Sequence, residues 1–134
     1  MFQIDKTFTF AAAHHVPGLP KGHKCSRPHG HTWNVTVTVV SAELREPGFV
    51  TDFADLKPFD DYIDAELDHR DLNEVLCFAP TSERIAIHLA EWFICNLEPR
   101  IGGRLVSVRV SESPSSGAMY FPRSGRLSCH DHDR

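Results

Sequence analysis

The chain has 134 residues, enough for one domain with a real core. Its hydrophobic content of 41%, charged content of 24% and formal net charge of −4 are ordinary for a soluble globular protein. That balance argues against a general nucleic-acid binder, and no apolar run approaches the ~20 residues of a membrane span.

Met1-Phe2-Gln3-Ile4-Asp5-Lys6 lacks the basic-then-apolar order of a signal peptide. A cytoplasmic location is therefore expected, with Cys25, Cys77, Cys95 and Cys129 reduced. Histidine is the unusual residue: nine in all, five of them between His14 and His31.

Residues 2–14 read as a strand. Phe2, Ile4, Phe8, Phe10, Ala12 and His14 share one parity, interrupted by Lys6; Gln3, Asp5, Thr7 and Thr9 share the other. Residues 15–28 hold three prolines and two glycines, which is loop chemistry. The same loop carries His15, Lys21, His23, Lys24 and Arg27, a basic set in an acidic chain.

A second strand is predicted over 29–41, with His29, His31, Trp33, Val35, Val37 and Val39 on one face. Two histidines two apart on a strand leave the same face, because the side-chain period is two. Antiparallel pairing with the first strand brings its end, His14, to the start of the second, where His29 and His31 lie. Three imidazoles at one end of one sheet face suit Zn²⁺ with an open fourth position. Cys25 is a small buried hydrophobe, a fourth ligand closing the site, or a base or nucleophile whose pKa is lowered by the metal and by Lys24 or Arg27.

A turn at Pro47-Gly48 leads to a helix over about 55–67, capped by Asp52 or Asp55, with Leu56, Phe59, Ile63 and Leu67 inward. Asp68-His69 at its end is either a C-terminal charge interaction or a proton relay. A second helix is predicted over about 81–97 after the start signal Pro80-Thr81-Ser82-Glu83. A third strand over 104–112 places Val106, Val108, Val110 and Glu112 on one face, and a fourth comes after it over 118–121. A carboxylate ending an apolar strand face can accept two parallel hydrogen bonds from an N–H-rich heterocycle. The expected architecture is α+β: β-β-α-α-β-β, a four-stranded antiparallel sheet with two helices on one face. One domain over 1–122 is followed by a polar tail, 123–134, that includes Cys129, His130 and His132. The other sheet face, rich in Thr, Ser and Arg, suits a wet lumen made by closing several sheets into a barrel.

Six blocks fall in order: Phe10-Ala11-Ala12-Ala13-His14, Gly22-His23-Lys24-Cys25-Ser26-Arg27-Pro28-His29-Gly30-His31, Asp52-Phe53-Ala54-Asp55-Leu56-Lys57, Leu67-Asp68-His69, Pro80-Thr81-Ser82-Glu83 and Ser111-Glu112-Ser113. Together they resemble the 6-pyruvoyltetrahydropterin synthase family, and the Cys-x-x-x-His-Gly-His spacing resembles its bacterial 6-carboxytetrahydropterin synthase branch. The resemblance implies the tunnelling fold, in which trimers or paired trimers close barrels around a channel. It implies zinc on His14, His29 and His31, Cys25 as the proton-abstracting base, and His69 supported by Asp68 as a relay that serves a neighbouring subunit's cysteine. Glu112 would anchor the pterin edge, with Thr81, Ser82, Glu83, Lys24 and Arg27 as further substrate contacts. The implied lyase reaction converts 7,8-dihydroneopterin triphosphate to 6-carboxy-5,6,7,8-tetrahydropterin, acetaldehyde and triphosphate, on the path to queuosine. The alternatives are 6-pyruvoyltetrahydropterin synthesis, which retains the side chain, and a non-catalytic pterin- or metal-binding module.

Overall fold

The computed structural model describes residues 1–123. The elements are β1 (Phe2–His14), β2 (His29–Ser41), α1 (Lys57–Glu66), β3 (Arg70–Asp71), α2 (Leu72–Val75), α3 (Ser82–Asn96), β4 (Arg104–Ser113) and β5 (Ser116–Tyr120). Single 3₁₀ turns occur at Lys24–Ser26, Phe53–Leu56 and Glu98–Arg100. The sheet order is β3-β1-β2-β4-β5.

The long β1–β2 pair is antiparallel and in register along its whole length, from Phe2 opposite Ser41 to His14 opposite His29. Alternation drives it. Phe8, Phe10, Ala12, Trp33, Val35, Val37 and Val39 are buried on one face. On the other, Thr7 bonds Thr36 (2.8 Å) and Thr9 donates to Asn34 (2.9 Å). Such cross-strand pairs each contribute a few tenths to about 1 kcal/mol and hold the register. A one-residue slip would send the apolar row to water.

The helices cover the apolar face. Phe59 of α1 meets Phe8 and Phe93 edge-on, with ring centroids 5.2 and 5.4 Å apart. Asp52 caps the 3₁₀ turn that runs into α1, accepting from the Ala54 N–H at 2.9 Å, and Pro58 sits in the first turn, where its missing N–H costs nothing. Thr81 caps α3 through the Arg84 N–H (3.2 Å).

Three details depart from the sequence expectation. The sheet has five strands and is mixed, because β3 pairs parallel with the free edge of β1, Arg70 opposite Ala12 and Asp71 opposite Ala13. Two residues carry no readable period, so only the open edge of β1 selects them. A bulge in β4 also shifts its register, from Ser107 opposite Thr38 to Leu105 opposite Val39. The extra residue, Val106, turns half out, and Leu105 enters the core in its place, fully buried. Finally, Cys25 and Cys77 are free thiols but Cys95 is disulfide-bonded, against the expectation of four reduced cysteines. The tail predicted beyond Arg123, with Cys129, His130 and His132, lies outside the described residues.

Candidate metal centre and active-site cleft

His14 ends β1, and His29 and His31 begin β2 directly across from it. Their donor atoms all lie within 4.8 Å of one another. The ring centroids are 4.5 Å apart for His14–His29, 5.2 Å for His14–His31 and 4.7 Å for His29–His31. Trp33, fully buried, forms the floor and meets His14 and His31 edge-on.

Backbone carbonyls orient two of the rings. His14 Nδ1 lies 2.8 Å from the Pro80 carbonyl, and His29 Nδ1 lies 2.7 Å from the Arg27 carbonyl. A carbonyl only accepts, so each Nδ1 carries the proton and each neutral ring keeps a lone pair on Nε2. This is how metal-binding imidazoles are held in one tautomer and one orientation. His14 Nε2 and His31 Nε2 are buried and have no hydrogen-bond partner in the protein. Two buried Nε2 atoms without a partner in a ring of three imidazoles are explained by a cation, so the residues fit a divalent metal. Burial holds the His14 pKa below its ordinary value, against the opposing pull of the Pro80 carbonyl, and so favours the neutral form that binds metal.

Glu112, near the end of β4, lies outside this group of three but reaches two of its members. Its Oε2 is 3.4 Å from both His14 Nε2 and His31 Nε2. Its neighbour Ser111 is buried and donates to the Ser116 carbonyl (2.6 Å), which ties down the β4–β5 turn beside the carboxylate.

Cys25 sits on the 3₁₀ turn before β2. Its carbonyl accepts from the Val16 N–H (2.8 Å) and its N–H donates to His23 Nδ1 (3.1 Å), so the loop closes back on the end of β1. Among the described residues Cys25 is not part of the metal-ligating group. It lines a cleft of about 530 Å³ with Lys24, Arg27, His29, His31 and Glu112. A smaller cleft of about 250 Å³ joins His14 and Glu112 to Thr81, Ser82 and Glu83. The Thr81 hydroxyl is engaged as a helix cap there, one of the two roles its position allowed.

Asp68 and His69 stand apart. They run along the free edge of β1: Asp68 Oδ1 accepts from the Ala11 N–H (2.9 Å) and the His69 N–H donates to the Ala11 carbonyl (2.6 Å). Asp68 Oδ2 pairs with His69 Nδ1 at 2.8 Å. The Ala11 N–H, and then His69, hold the Asp68 carboxyl below its ordinary value. His69 adopts φ +58°, a left-handed conformation uncommon for a non-glycine residue, and its side chain is 81% exposed. Its cleft, of about 620 Å³, is walled by Ala11–Ala13, Gly30, His31, Thr32, Arg70 and Asp71, without Cys25 or Glu112.

Sequence reasoning missed three contributors. The Pro80 and Arg27 carbonyls carry no side-chain signature. Asn73 clamps the residue after the first histidine, accepting from the His15 N–H (2.8 Å) and donating to the His15 carbonyl (2.9 Å). Its one local signal was Asp71, which caps α2 through the Asn73 N–H (3.0 Å).

The chain is similar to known proteins along nearly its whole described length. The family model described as 6-pyruvoyl tetrahydropterin synthase matches residues 3–123. A 6-carboxy-5,6,7,8-tetrahydropterin synthase of Synechocystis sp. is 41% identical over 134 residues, covering 96% of this chain and 98% of the relative. Its counterpart in Bacillus subtilis is 33% identical over 137 residues, covering 95% and 90%. The structure of Caenorhabditis elegans 6-pyruvoyl tetrahydropterin synthase superposes with a TM-score of 0.78 at 25% identity, over 91% of this chain and 96% of that one.

Proposed function

The chain belongs to the 6-pyruvoyl tetrahydropterin synthase family, and within it we propose that the protein is a zinc-dependent 6-carboxy-5,6,7,8-tetrahydropterin synthase. The substrate is 7,8-dihydroneopterin triphosphate, and the products are 6-carboxytetrahydropterin, acetaldehyde and triphosphate, leading toward queuosine. One observation carries the reading: a three-histidine cluster with orphaned Nε2 atoms opens onto a cleft that holds a free thiol and a carboxylate. The Synechocystis and Bacillus relatives both carry the 6-carboxy name, and the Cys-x-x-x-His-Gly-His spacing of this chain points the same way.

His14, His29 and His31 would hold the zinc. When bound, it supplies Lewis acidity that makes a neighbouring C–H more acidic. The remaining work falls to the chain. Glu112 accepts hydrogen bonds from the amide and amino edge of the pterin and so orients the ring. Cys25, which lines the same cleft as Lys24 and Arg27, removes a side-chain proton. Those two cations also face the triphosphate, and Thr81, Ser82 and Glu83 border the ring from the smaller cleft. His69, oriented by Asp68, relays protons in the site of a neighbouring copy, so a trimer or a pair of trimers completes each site. The proposed location is the cytoplasm; no helix among the described residues is long and apolar enough to cross a membrane.

The test is product analysis after incubation with 7,8-dihydroneopterin triphosphate, with and without a chelator. Acetaldehyde and 6-carboxytetrahydropterin, both abolished by the chelator, are expected. Triphosphate release with the side chain retained would move the protein to the 6-pyruvoyl reaction. No turnover at all would leave a pterin- or metal-binding module.

A further inference from the structure

We propose that Glu112 is an exchangeable fourth ligand of the metal held by His14, His29 and His31, and that it leaves the metal only when a heterocycle takes up its carboxylate. The inference deepens the proposed pterin-synthase function and rests on it for the identity of the heterocycle.

Distances point to it first. A tetrahedral zinc site has metal–ligand bonds of about 2.0–2.2 Å, so neighbouring ligand atoms lie about 3.3–3.5 Å apart. Glu112 Oε2 is 3.4 Å from His14 Nε2 and 3.4 Å from His31 Nε2. Two of the three edges that a fourth ligand needs are thus drawn, and the third, to His29, would close as the four groups settle on the metal.

Hydrogen bonding points the same way. The Pro80 carbonyl takes the Nδ1 side of the His14 ring, so Nε2 is the atom turned toward Glu112. Oε2 and Nε2 face each other 3.4 Å apart without a hydrogen bond between them, and a cation between them would satisfy both. The buried, unpartnered state of His14 Nε2 and His31 Nε2 agrees.

Glu112 is also free to leave. Its side chain is 36% exposed, and it borders both the cleft that holds Cys25 and the cleft that holds Ser82 and Glu83. A carboxylate on the metal cannot at the same time lie along a pterin edge with both oxygens. Recognition of the ring would then open the fourth coordination position, and a ligand lacking an amide and amino edge would meet a closed site.

The experiment uses the full chain loaded with Co²⁺, as wild type, Glu112→Gln and Glu112→Ala, with circular dichroism confirming the fold. Visible absorption reads the cobalt coordination, and competition with a chelator reads its affinity. Without ligand, and at a cobalt concentration that saturates every chain, both variants should show a shifted cobalt spectrum, and both should bind the metal about tenfold or more weakly. A 7,8-dihydropterin lacking the side chain should shift the wild-type spectrum and leave both variants unchanged, while glycerol phosphate should shift neither. Identical ligand-free spectra in wild type and Glu112→Ala would overturn the proposal, because loss of a nearby charge alone changes affinity but not coordination. A Glu112-dependent spectrum without turnover would instead overturn the proposed reaction and leave this ligand role standing.

Discussion

Two imidazole corners flank the last turn of β1, and they are built in opposite ways. The His14–His29–His31 corner is gripped from all sides: paired strands below, Trp33 beneath the rings, and the carbonyls of Arg27 and Pro80 behind two of them. The Asp68–His69 corner hangs on the free edge of the same strand, with His69 in a left-handed conformation and its ring largely in solvent. A metal centre needs several donors fixed at once, which one chain's paired strands can do. A solvent-facing acid–base pair at a sheet edge is suited to act on a site that another copy brings to it.

Several substitutions break or sharpen this contrast. The largest effect belongs to the gripped corner. His29→Ala should reduce bound zinc from about one per chain to almost none, read by atomic absorption after dialysis, and abolish turnover with it. Cys25→Ala should lower kcat about 10²–10⁴-fold while zinc content stays at the wild-type level. Wild-type turnover in that variant would mean the thiol is not the base.

The exposed corner is tested by mixing. Cys25→Ala and His69→Ala chains, each inactive alone, should recover activity when unfolded and refolded together, because mixed assemblies contain sites with an intact Cys25 from one chain and His69 from another. If each chain completes its own site, no mixture recovers. Asn73→Ala comes next. It strips both partners from the His15 backbone and should destabilise the fold by about 1–3 kcal/mol in urea titrations. Zinc affinity should also fall, about tenfold, because the residue beside His14 is no longer clamped.

The smallest effect is a pH dependence. The Asp68 carboxyl titrates below its ordinary value of 3.8 in the folded chain, held there first by the Ala11 N–H and then by His69. A depressed carboxylate contributes stability that is present above the ordinary value and is lost as pH falls through the folded one. Asp68→Asn should therefore lower the urea midpoint at pH 7, and the gap from wild type should close in acid. A gap of equal size at both pH values would assign the loss to hydrogen-bond geometry instead of charge.

Much of the gripped corner was legible in the order of residues. Alternation along 2–14 and 29–41 put His14, His29 and His31 on one face, and antiparallel pairing brought them to one end of it. Glu112 obeyed the same logic at the end of β4, even though the bulge that exchanges Val106 for Leu105 broke the parity earlier in that strand. The edge corner was legible only as a motif. Nothing local to Asp68-His69-Arg70-Asp71 announces a strand, and β3 exists because β1 has an unpaired edge there.

Local periodicity, which needs nothing beyond the sequence, therefore determined two long strands, two long helices and a row of imidazoles on one sheet face. The tertiary structure alone decided which ring nitrogen of His14 and His29 meets a backbone carbonyl, which residue clamps His15, and where Asp68 and His69 lie. The reason is physical. Side-chain alternation is imposed by backbone geometry at each residue. A hydrogen bond between His14 and a carbonyl 66 residues away exists only once α3 has packed against the sheet.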